Sequence, residues 1–140
     1  MRCKMEMCSR YGSMSDAQSS SDTGGYWLLR SGVVLSSVEV MDGFFKRSVG
    51  LLGRKSYDGA ILFPHTRAVH TLGMKMGIDV AFLDRNLNVI SITTMYPWRI
   101  GLPRSRARYV LEAETGTFER WHLAVGDILE LRESRSSSTR

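Results

Sequence analysis

Three side chains between His70 and Asp84 carry the groups of a small catalytic site. His70 supplies a base, Thr71 a hydroxyl nucleophile and Asp79 a carboxylate that could orient the base. The spacing of these residues does not establish such a site. The chain has no nucleophile elbow of the Gly-x-Ser-x-Gly type, and a catalytic triad is defined by its geometry and not by the presence of the three residue types. Asp79 and Glu112 could also act as an acid and a base, although an ion pair with an arginine is more typical of such carboxylates. A small hydrolase or transferase using His70 and Asp79 is therefore the alternative hypothesis.

Metal binding is the second chemistry that these residue types suggest. His70, Met74 and Met76 alternate as they would on one face of a strand, and thioether and imidazole ligands suit copper(I). Methionines at alternate positions are more often core residues that fill irregular gaps. A zinc site at His65 and His70 lacks a third ligand, and Cys3 and Cys8 lack further partners. We predict neither a metal site nor a cofactor.

A binding surface is the first hypothesis, and it is non-catalytic. Trp98 and Arg99 follow Pro97 and combine an aromatic surface with a fork of donors, a pairing favoured in binding sites. The ligand-binding candidates are His70, Thr71, Asp79, Trp98 and Arg99. The predicted partner is an unidentified small molecule or protein.

Charge gives a weaker alternative, which is nucleic-acid binding through the loop from Arg99 to Arg108. That loop holds four arginines, whereas residues 109–131 carry a net charge of −4. Arginines in a loop could meet phosphates in a salt-dependent way. The acidic segment that follows, and the lack of a recognition helix or a stacking platform, make nucleic acid an unlikely partner.

Composition predicts one globular domain. The chain has 140 residues, of which 43% are hydrophobic and 24% charged. The polar ends predict disordered tails at residues 1–25 and 133–140 around a single β-rich domain at residues 26–132. No apolar run reaches about 18 residues, and the amino terminus lacks the apolar centre of a secretory signal, so we expect no membrane span and a cytoplasmic location.

The elements that must position these residues are mainly strands. Tyr26 to Leu35 is rich in strand formers, and Ser36 with Glu39 matches a capping box that would open one substantial helix ending at Gly53. Short strand patterns follow at Ile61 to Phe63, Arg67 to Lys75, Ile78 to Leu83, Asn88 to Met95, Tyr109 to Ala113 and Asp127 to Leu131. Thr117 to Leu123 predicts a brief second helix. The expected fold is mainly β (α+β), a compact antiparallel sandwich or barrel-like sheet with one packed helix.

Several motifs together resemble the prokaryotic family called Domain of Unknown Function 192. They are Arg47-x-x-Gly50-Leu-Leu-Gly53-Arg54, His70-Thr71-x-x-Met74, Ile78-Asp79-Val80-x-Phe82-Leu83-Asp84, and Leu111-Glu112 followed by Gly116 and Gly126-Asp127. The resemblance implies a compact, largely β domain with a packed helix. It implies a structural role for Arg47, Gly50, Gly53, Arg54, Met74, Glu112, Gly126 and Asp127. The family brings no agreed activity, so the resemblance assigns no catalytic role.

Overall fold

The structure of the protein is a computed structural model that describes residues 25–41 and 58–134. Within these residues the chain forms seven strands and one short helix. In chain order they are β1 (Tyr26–Arg30), β2 (Val33–Val40), β3 (Ala60–Pro64), β4 (Ile78–Leu83), β5 (Val89–Met95), β6 (Tyr109–Glu114), α1 (Thr117–Arg120) and β7 (Leu129–Glu133). No helix in this part of the chain is long and apolar enough to cross a membrane.

The strands form one mixed sheet in the order β5-β4-β6-β3-β2-β1-β7. The protein is mainly β, as predicted, and the sheet is mixed where an antiparallel one was expected. Strands β2 and β3 are parallel, with Val38 beside Ala60 and Val40 beside Leu62. Parallel neighbours need a crossover of a dozen or more residues, and the connection from β2 to β3 is long enough to supply one.

The first predicted strand, Tyr26 to Leu35, is instead a hairpin of β1 and β2. Ser31 and Gly32 both have positive φ angles, of 50° and 78°, which is the geometry of a two-residue hairpin turn. The predicted helix start at Ser36 is also wrong, because Ser36 pairs with Leu28 and lies inside β2. Pairing with β1 outweighs the local capping signal. The remainder of the predicted helix, residues 42–53, lies outside the described residues.

The predicted strand from Arg67 to Lys75 is a loop. Its only ladder contact is an isolated bridge between His70 and Ile100. The chain turns between Thr71 and Met74, where the Met74 N–H donates to the Thr71 carbonyl oxygen at 3.2 Å. Gly73 lies in this turn with a φ of 78°, a conformation that glycine adopts at little cost. Strand structure therefore begins only at Ile78, beyond Gly77.

Both faces of the central sheet are covered. In β4, Ala81 and Leu83 belong to one core cluster, while Ile78, Val80 and Phe82 belong to another. All six residues of β4 are buried. Because successive side chains of a strand point to opposite faces, the alternation places one cluster on each side of the sheet.

The two outer strands of the sheet are joined at one end. The Val89 N–H donates to the Asp127 carbonyl oxygen at 2.8 Å, and the Gly126 N–H donates to the Val89 carbonyl oxygen at 2.8 Å. An isolated bridge pairs Asn88 with Ile128. These contacts connect the start of β5 to the start of β7.

The described part of the chain begins and ends at neighbouring points. The Ser134 N–H donates to the Gly25 carbonyl oxygen at 2.8 Å, which extends the antiparallel pairing of β1 and β7.

Candidate functional site

Two loops lie side by side and form the candidate site. The first, residues 65–77, joins β3 to β4, and the second, residues 96–108, joins β5 to β6. Backbone hydrogen bonds of 2.8 Å link them at three places, from Thr71 N–H to Arg99 O, from Gly101 N–H to Val69 O and from Arg104 N–H to Arg67 O. We call this surface the paired loops. These backbone bonds fix the two loops relative to each other.

Gly101 allows the two loops to approach each other. A Cβ atom at this position would lie 3.0 Å from the Val69 carbonyl oxygen, which is tighter than ordinary van der Waals contact. A larger residue would therefore push the backbones of the two loops apart.

The Thr71 side chain fixes the turn from Tyr96 to Arg99. Its hydroxyl donates to the Tyr96 carbonyl oxygen at 2.6 Å and accepts from the Arg99 N–H at 2.9 Å. The Trp98 N–H donates to the Thr71 carbonyl oxygen at 2.9 Å. Thr71 itself is fully buried, and loss of its hydroxyl would leave two backbone groups of the turn without their partner.

Trp98 occupies a backbone conformation that bulky residues rarely adopt. Its φ is 62°, and Pro97 precedes it, which together match the two central positions of a type II turn. The left-handed region costs an ordinary residue about 1–2 kcal/mol. The side chain is 68% exposed, so the fold gains little from its packing. The Thr71 hydrogen bonds therefore hold an exposed tryptophan in a strained turn.

Large apolar side chains are concentrated on the exposed side of the paired loops. Ile100 is 75% exposed, Leu102 is 77% exposed and Tyr96 is 65% exposed, with Trp98 beside them and Leu72 on the first loop 41% exposed. Isolated exposed apolar residues are common, whereas several on one surface mark an interaction site. The paired loops have the apolar character of such a site.

The same two loops are strongly basic. Residues 65–77 and 96–108 contain no aspartate or glutamate, and they carry six cationic side chains: Arg67, Lys75, Arg99, Arg104, Arg106 and Arg108. The formal net charge of the whole chain is +5, so the residues outside these loops sum to −1. Among the described residues, these loops carry +6 and the others sum to −6, so the positive charge of the described surface is concentrated here.

A shallow groove of about 330 Å³ runs along the second loop. Its lining includes Phe82 and residues 93–96, and, from the second loop, Arg99, Ile100, Leu102 and Arg104. The Arg104 guanidinium lies 5.7 Å from the centroid of the Phe82 ring, within the range of a cation–π contact. The groove thus brings apolar side chains and cationic groups to one edge of the paired loops.

Asp79 lies elsewhere and organises the start of α1. It is 4% exposed, and its two carboxylate oxygens accept hydrogen bonds from the Thr94 hydroxyl at 2.9 Å, the Gly116 N–H at 2.9 Å and the Phe118 N–H at 3.1 Å. The first N–H groups of a helix lack intrahelical partners, so a buried carboxylate from β4 satisfies two of them. Asp79 thereby ties β4 to β5 and α1.

Glu112 is the other buried carboxyl group, and it faces the opposite side of the sheet. In the register of β4 and β6, Asp79 lies opposite Ala113, whereas Glu112 lies opposite Val80. On its other side, Glu112 lies opposite Ile61 of β3. Burial among these apolar neighbours raises the pKa of Glu112 to about 7. The two carboxyl groups cannot share an acid and base role, because the sheet separates them.

A second groove, of about 520 Å³, contains none of the predicted site residues. Its lining includes the acidic residues Asp58 and Glu114, the basic residue Arg120, and Trp121. Two acidic residues and one basic residue give this groove a formal charge of −1, which disfavours an anionic ligand.

Comparison with known proteins identifies the family. The model of DUF192, described as an uncharacterized ACR, matches residues 28–131. This chain belongs to the DUF192 family. It is 40% identical over 95 residues to a UPF0127 protein of Pyrococcus horikoshii, covering 64% of this chain and 83% of that protein. It is also 40% identical over 98 residues to a UPF0127 protein of Pyrococcus furiosus, covering 66% and 84%. The family and these relatives are uncharacterised.

Solved structures share the fold of this DUF192 chain. A protein of unknown function from Novosphingobium aromaticivorans has a TM-score of 0.63 with 17% identity, over 83% of this chain and 94% of that one. A Sinorhizobium meliloti protein, described as a proposed transcription regulator, has a TM-score of 0.60 with 22% identity, over 82% and 98%. At these identities the likeness concerns the fold alone.

The structure brings together four of the five predicted ligand-binding residues. His70, Thr71, Trp98 and Arg99 lie on the paired loops, with His70, Trp98 and Arg99 exposed and Thr71 buried beneath them. Asp79 does not join them. None of the hydrogen bonds among the described residues joins His70 to Thr71 or Asp79, so the arrangement lacks the contacts of a triad.

The residues assigned structural roles are dispersed. Met74 packs into the second core cluster with Val69 and Met95. Asp127 accepts hydrogen bonds from Arg30 and from the Ala124 N–H, both at 2.9 Å. The hydrogen bond from Ala124 is the main cause of the lowered pKa of Asp127, and the contact with Arg30 lowers it further. Gly126 adopts a φ of 96° in the preceding turn. The motif residues Arg47, Gly50, Gly53 and Arg54 lie outside the described residues.

Sequence reasoning missed four apolar residues of the site, namely Leu72, Tyr96, Ile100 and Leu102. A signal for three of them was present, because Tyr96, Trp98, Ile100 and Leu102 alternate between Met95 and Pro103 in a segment interrupted by Pro97. Two prolines so close together argue against a core strand, so the apolar alternation had no sheet to pack against.

The described residues contain no group of three or more His, Cys, Asp or Glu side chains that could hold a metal ion. His70 is exposed, whereas Met74 is buried in the second cluster and Met76 packs against it. These positions match the interpretation of the methionines as core residues.

Proposed function

We propose that this DUF192 chain is a non-catalytic binding module whose contact surface is the paired loops. The observation that carries the proposal is the exposure of Trp98, Ile100 and Leu102 on one loop whose backbone is fixed by hydrogen bonds. Tryptophan and arginine are enriched among the residues that dominate binding energy at interfaces.

The fixed backbone of the paired loops supports a role for Trp98, Ile100 and Leu102 in binding a partner, and not in stabilising the fold. A loop whose backbone is already ordered loses little further backbone entropy when it meets a partner. The Thr71 hydroxyl orders the turn that presents Trp98 and Arg99. The hydrolase hypothesis has less support, because both carboxylate oxygens of Asp79 accept hydrogen bonds within the fold.

The scaffold that carries the paired loops is, we infer, a barrel-like sheet in a single domain of about residues 26–132. Backbone bonds between Val89 and Asp127, and between Gly126 and Val89, support this inference by linking the outer strands. Closure of a sheet leaves few free edges and gives a rigid base for loops.

The fluorescent anion 1-anilinonaphthalene-8-sulfonate tests this surface, since it combines aromatic rings with a single negative charge. We expect the folded protein to bind it, and the variant Trp98→Ser/Ile100→Ser/Leu102→Ser to lose most of that binding. The control is Val33→Ser/Val125→Ser, which removes two apolar side chains that are 64% and 63% exposed outside the paired loops. Equal losses in both variants, or no binding by the folded protein, would refute the proposal.

A further inference from the structure

We propose that the partner of the paired loops is an anionic phospholipid surface, an inference that rests on the proposed binding function. The chain would lie on the membrane without crossing it. Trp98, Ile100 and Leu102 would enter the boundary between headgroups and acyl chains, while the surrounding cations would meet the lipid phosphates.

The chemistry of the apolar residues favours lipid over nucleic acid. Ile100 and Leu102 are the most exposed large apolar side chains of the described chain, and an aliphatic group offers a nucleic acid neither ring stacking nor a hydrogen bond. Acyl chains accept aliphatic groups directly. Trp98 suits the same boundary, because tryptophan has an apolar body and a polar N–H and concentrates at membrane interfaces.

The charge of the surface complements an anionic bilayer. The paired loops carry six cationic side chains with no acidic residue, and the remaining residues sum to −1. An anionic membrane attracts basic side chains near its surface, and the attraction fades within a Debye length. Among the described residues, the paired loops are therefore the part that such a membrane attracts.

Five of the six cations of the paired loops are exposed. Arg99, Arg104 and Arg106 are exposed on the same loop as Trp98, and Arg67 and Lys75 are exposed on the neighbouring loop. Arg108 differs, since its guanidinium donates to the carbonyl oxygens of Ser105 and Ala107. Exposed cations on the same loops as exposed apolar side chains match a bilayer, where phosphates lie beside the hydrocarbon boundary.

Sedimentation of the full chain with lipid vesicles tests the inference. Vesicles of phosphatidylcholine mixed with phosphatidylglycerol should bind the protein, whereas vesicles of phosphatidylcholine alone should bind it at least about tenfold more weakly. Raising the salt concentration should weaken binding. In the variant Trp27→Phe/Trp121→Phe, the remaining Trp98 emission should shift to shorter wavelength when the vesicles are added.

Two variants separate the apolar and the charge contributions. Trp98→Ser/Ile100→Ser/Leu102→Ser should abolish the sedimentation, and Arg99→Gln/Arg106→Gln should weaken it about thirtyfold. The matched control Arg85→Gln/Arg132→Gln removes the same charge from outside the paired loops and should have a much smaller effect. Circular dichroism of each variant verifies that the fold is retained.

The possible failures are distinguishable. Binding of the naphthalene sulfonate without binding of the anionic vesicles would overturn the lipid inference and leave the proposed function standing. Loss of the naphthalene sulfonate binding itself would overturn both. Binding to single-stranded DNA that matches the vesicle binding, depends on Arg99 and Arg106 and ignores Ile100 and Leu102 would assign the surface to nucleic acid and overturn the inference.

Discussion

The hydroxyl oxygen of Thr71 lies 2.6 Å from the carbonyl oxygen of Tyr96, 25 positions further along the chain. This bond and the one donated by the Arg99 N–H connect the buried Thr71 hydroxyl to both ends of the exposed turn from Tyr96 to Arg99. The side chain that presents the proposed binding surface is therefore not itself exposed on that surface.

Replacement of Thr71 by valine should destabilise the protein by about 1–3 kcal/mol, because it leaves the Tyr96 carbonyl and the Arg99 N–H without their hydroxyl partner. Urea unfolding measures the change. Thr71→Ser keeps the hydroxyl and serves as the control, with a smaller loss. If valine and serine cost the same, the hydrogen bonds do not stabilise this turn.

Replacement of Trp98 by glycine should leave the free energy of unfolding unchanged or raise it by about 1 kcal/mol, since glycine adopts a positive φ without steric cost. The exposed indole contributes little packing that could be lost. Trp27→Gly is the control, because Trp27 lies in strand β1, where glycine is unfavourable. Thermal unfolding compares the two variants, and an equal loss in both would contradict the assignment of strain to Trp98.

Replacement of Asp79 by asparagine should destabilise the protein by about 3 kcal/mol, because the amide places a donor against backbone N–H groups that need an acceptor. Thr94→Val removes only one of the three hydrogen bonds and should cost about 1 kcal/mol. Chemical unfolding of both variants tests this order. A variant Asp79→Asn as stable as the parent would show that the start of α1 does not depend on this carboxylate.

Glu112 should make the stability depend on pH. Its pKa in the folded protein is about 7, above the ordinary value of 4.5, so the folded state binds the proton more tightly than the unfolded state. Stability is therefore greatest below about pH 4.5 with respect to this group, falls as the pH rises to about 7, and then levels off.

The variant Glu112→Gln cannot titrate and should lack this part of the pH profile. Near pH 8 it should be more stable than the parent by up to about 3 kcal/mol, and near pH 4 the difference should vanish. Urea unfolding across this range measures the difference. A constant difference at all pH values would mean that Glu112 does not titrate with a raised pKa.

The sequence predicted the strands whose pattern and boundaries are local. Ile78 to Leu83 is bounded by Gly77 and by the turn at Asp84, and the observed strand has the same limits. The stretch from Arg67 to Lys75 has a similar alternation, yet it pairs with another loop through backbone groups. The pattern of side chains does not indicate which backbone groups pair. Residue types alone therefore could not show that one stretch is a strand of the sheet and the other a loop.

The capping signal at Ser36 failed for a related reason. Ser36 and Glu39 have the spacing of a helix start, but the Ser31-Gly32 turn folds the chain back so that Ser36 meets Leu28 on β1. Contacts between strands then decide the local structure.

The candidate site was predicted in part. Trp98 and Arg99 follow from residue type and from Pro97, and His70 and Thr71 follow from the neighbouring motif. The separation of Asp79 from them depends on which loop crosses which face of the sheet. For the exposure of Ile100 and Leu102 the only signal was the closeness of Pro97 and Pro103, because apolar residues are otherwise assigned to the core.

The hydrogen bond between Ser134 and Gly25 has a practical consequence. Because residues 25 and 134 are adjacent, the described part of the chain could be joined to two neighbouring positions of another protein. A segment bounded by residues 25 and 134 is thus suited to insertion into a surface turn of a reporter protein, where it would carry the paired loops as one appended unit.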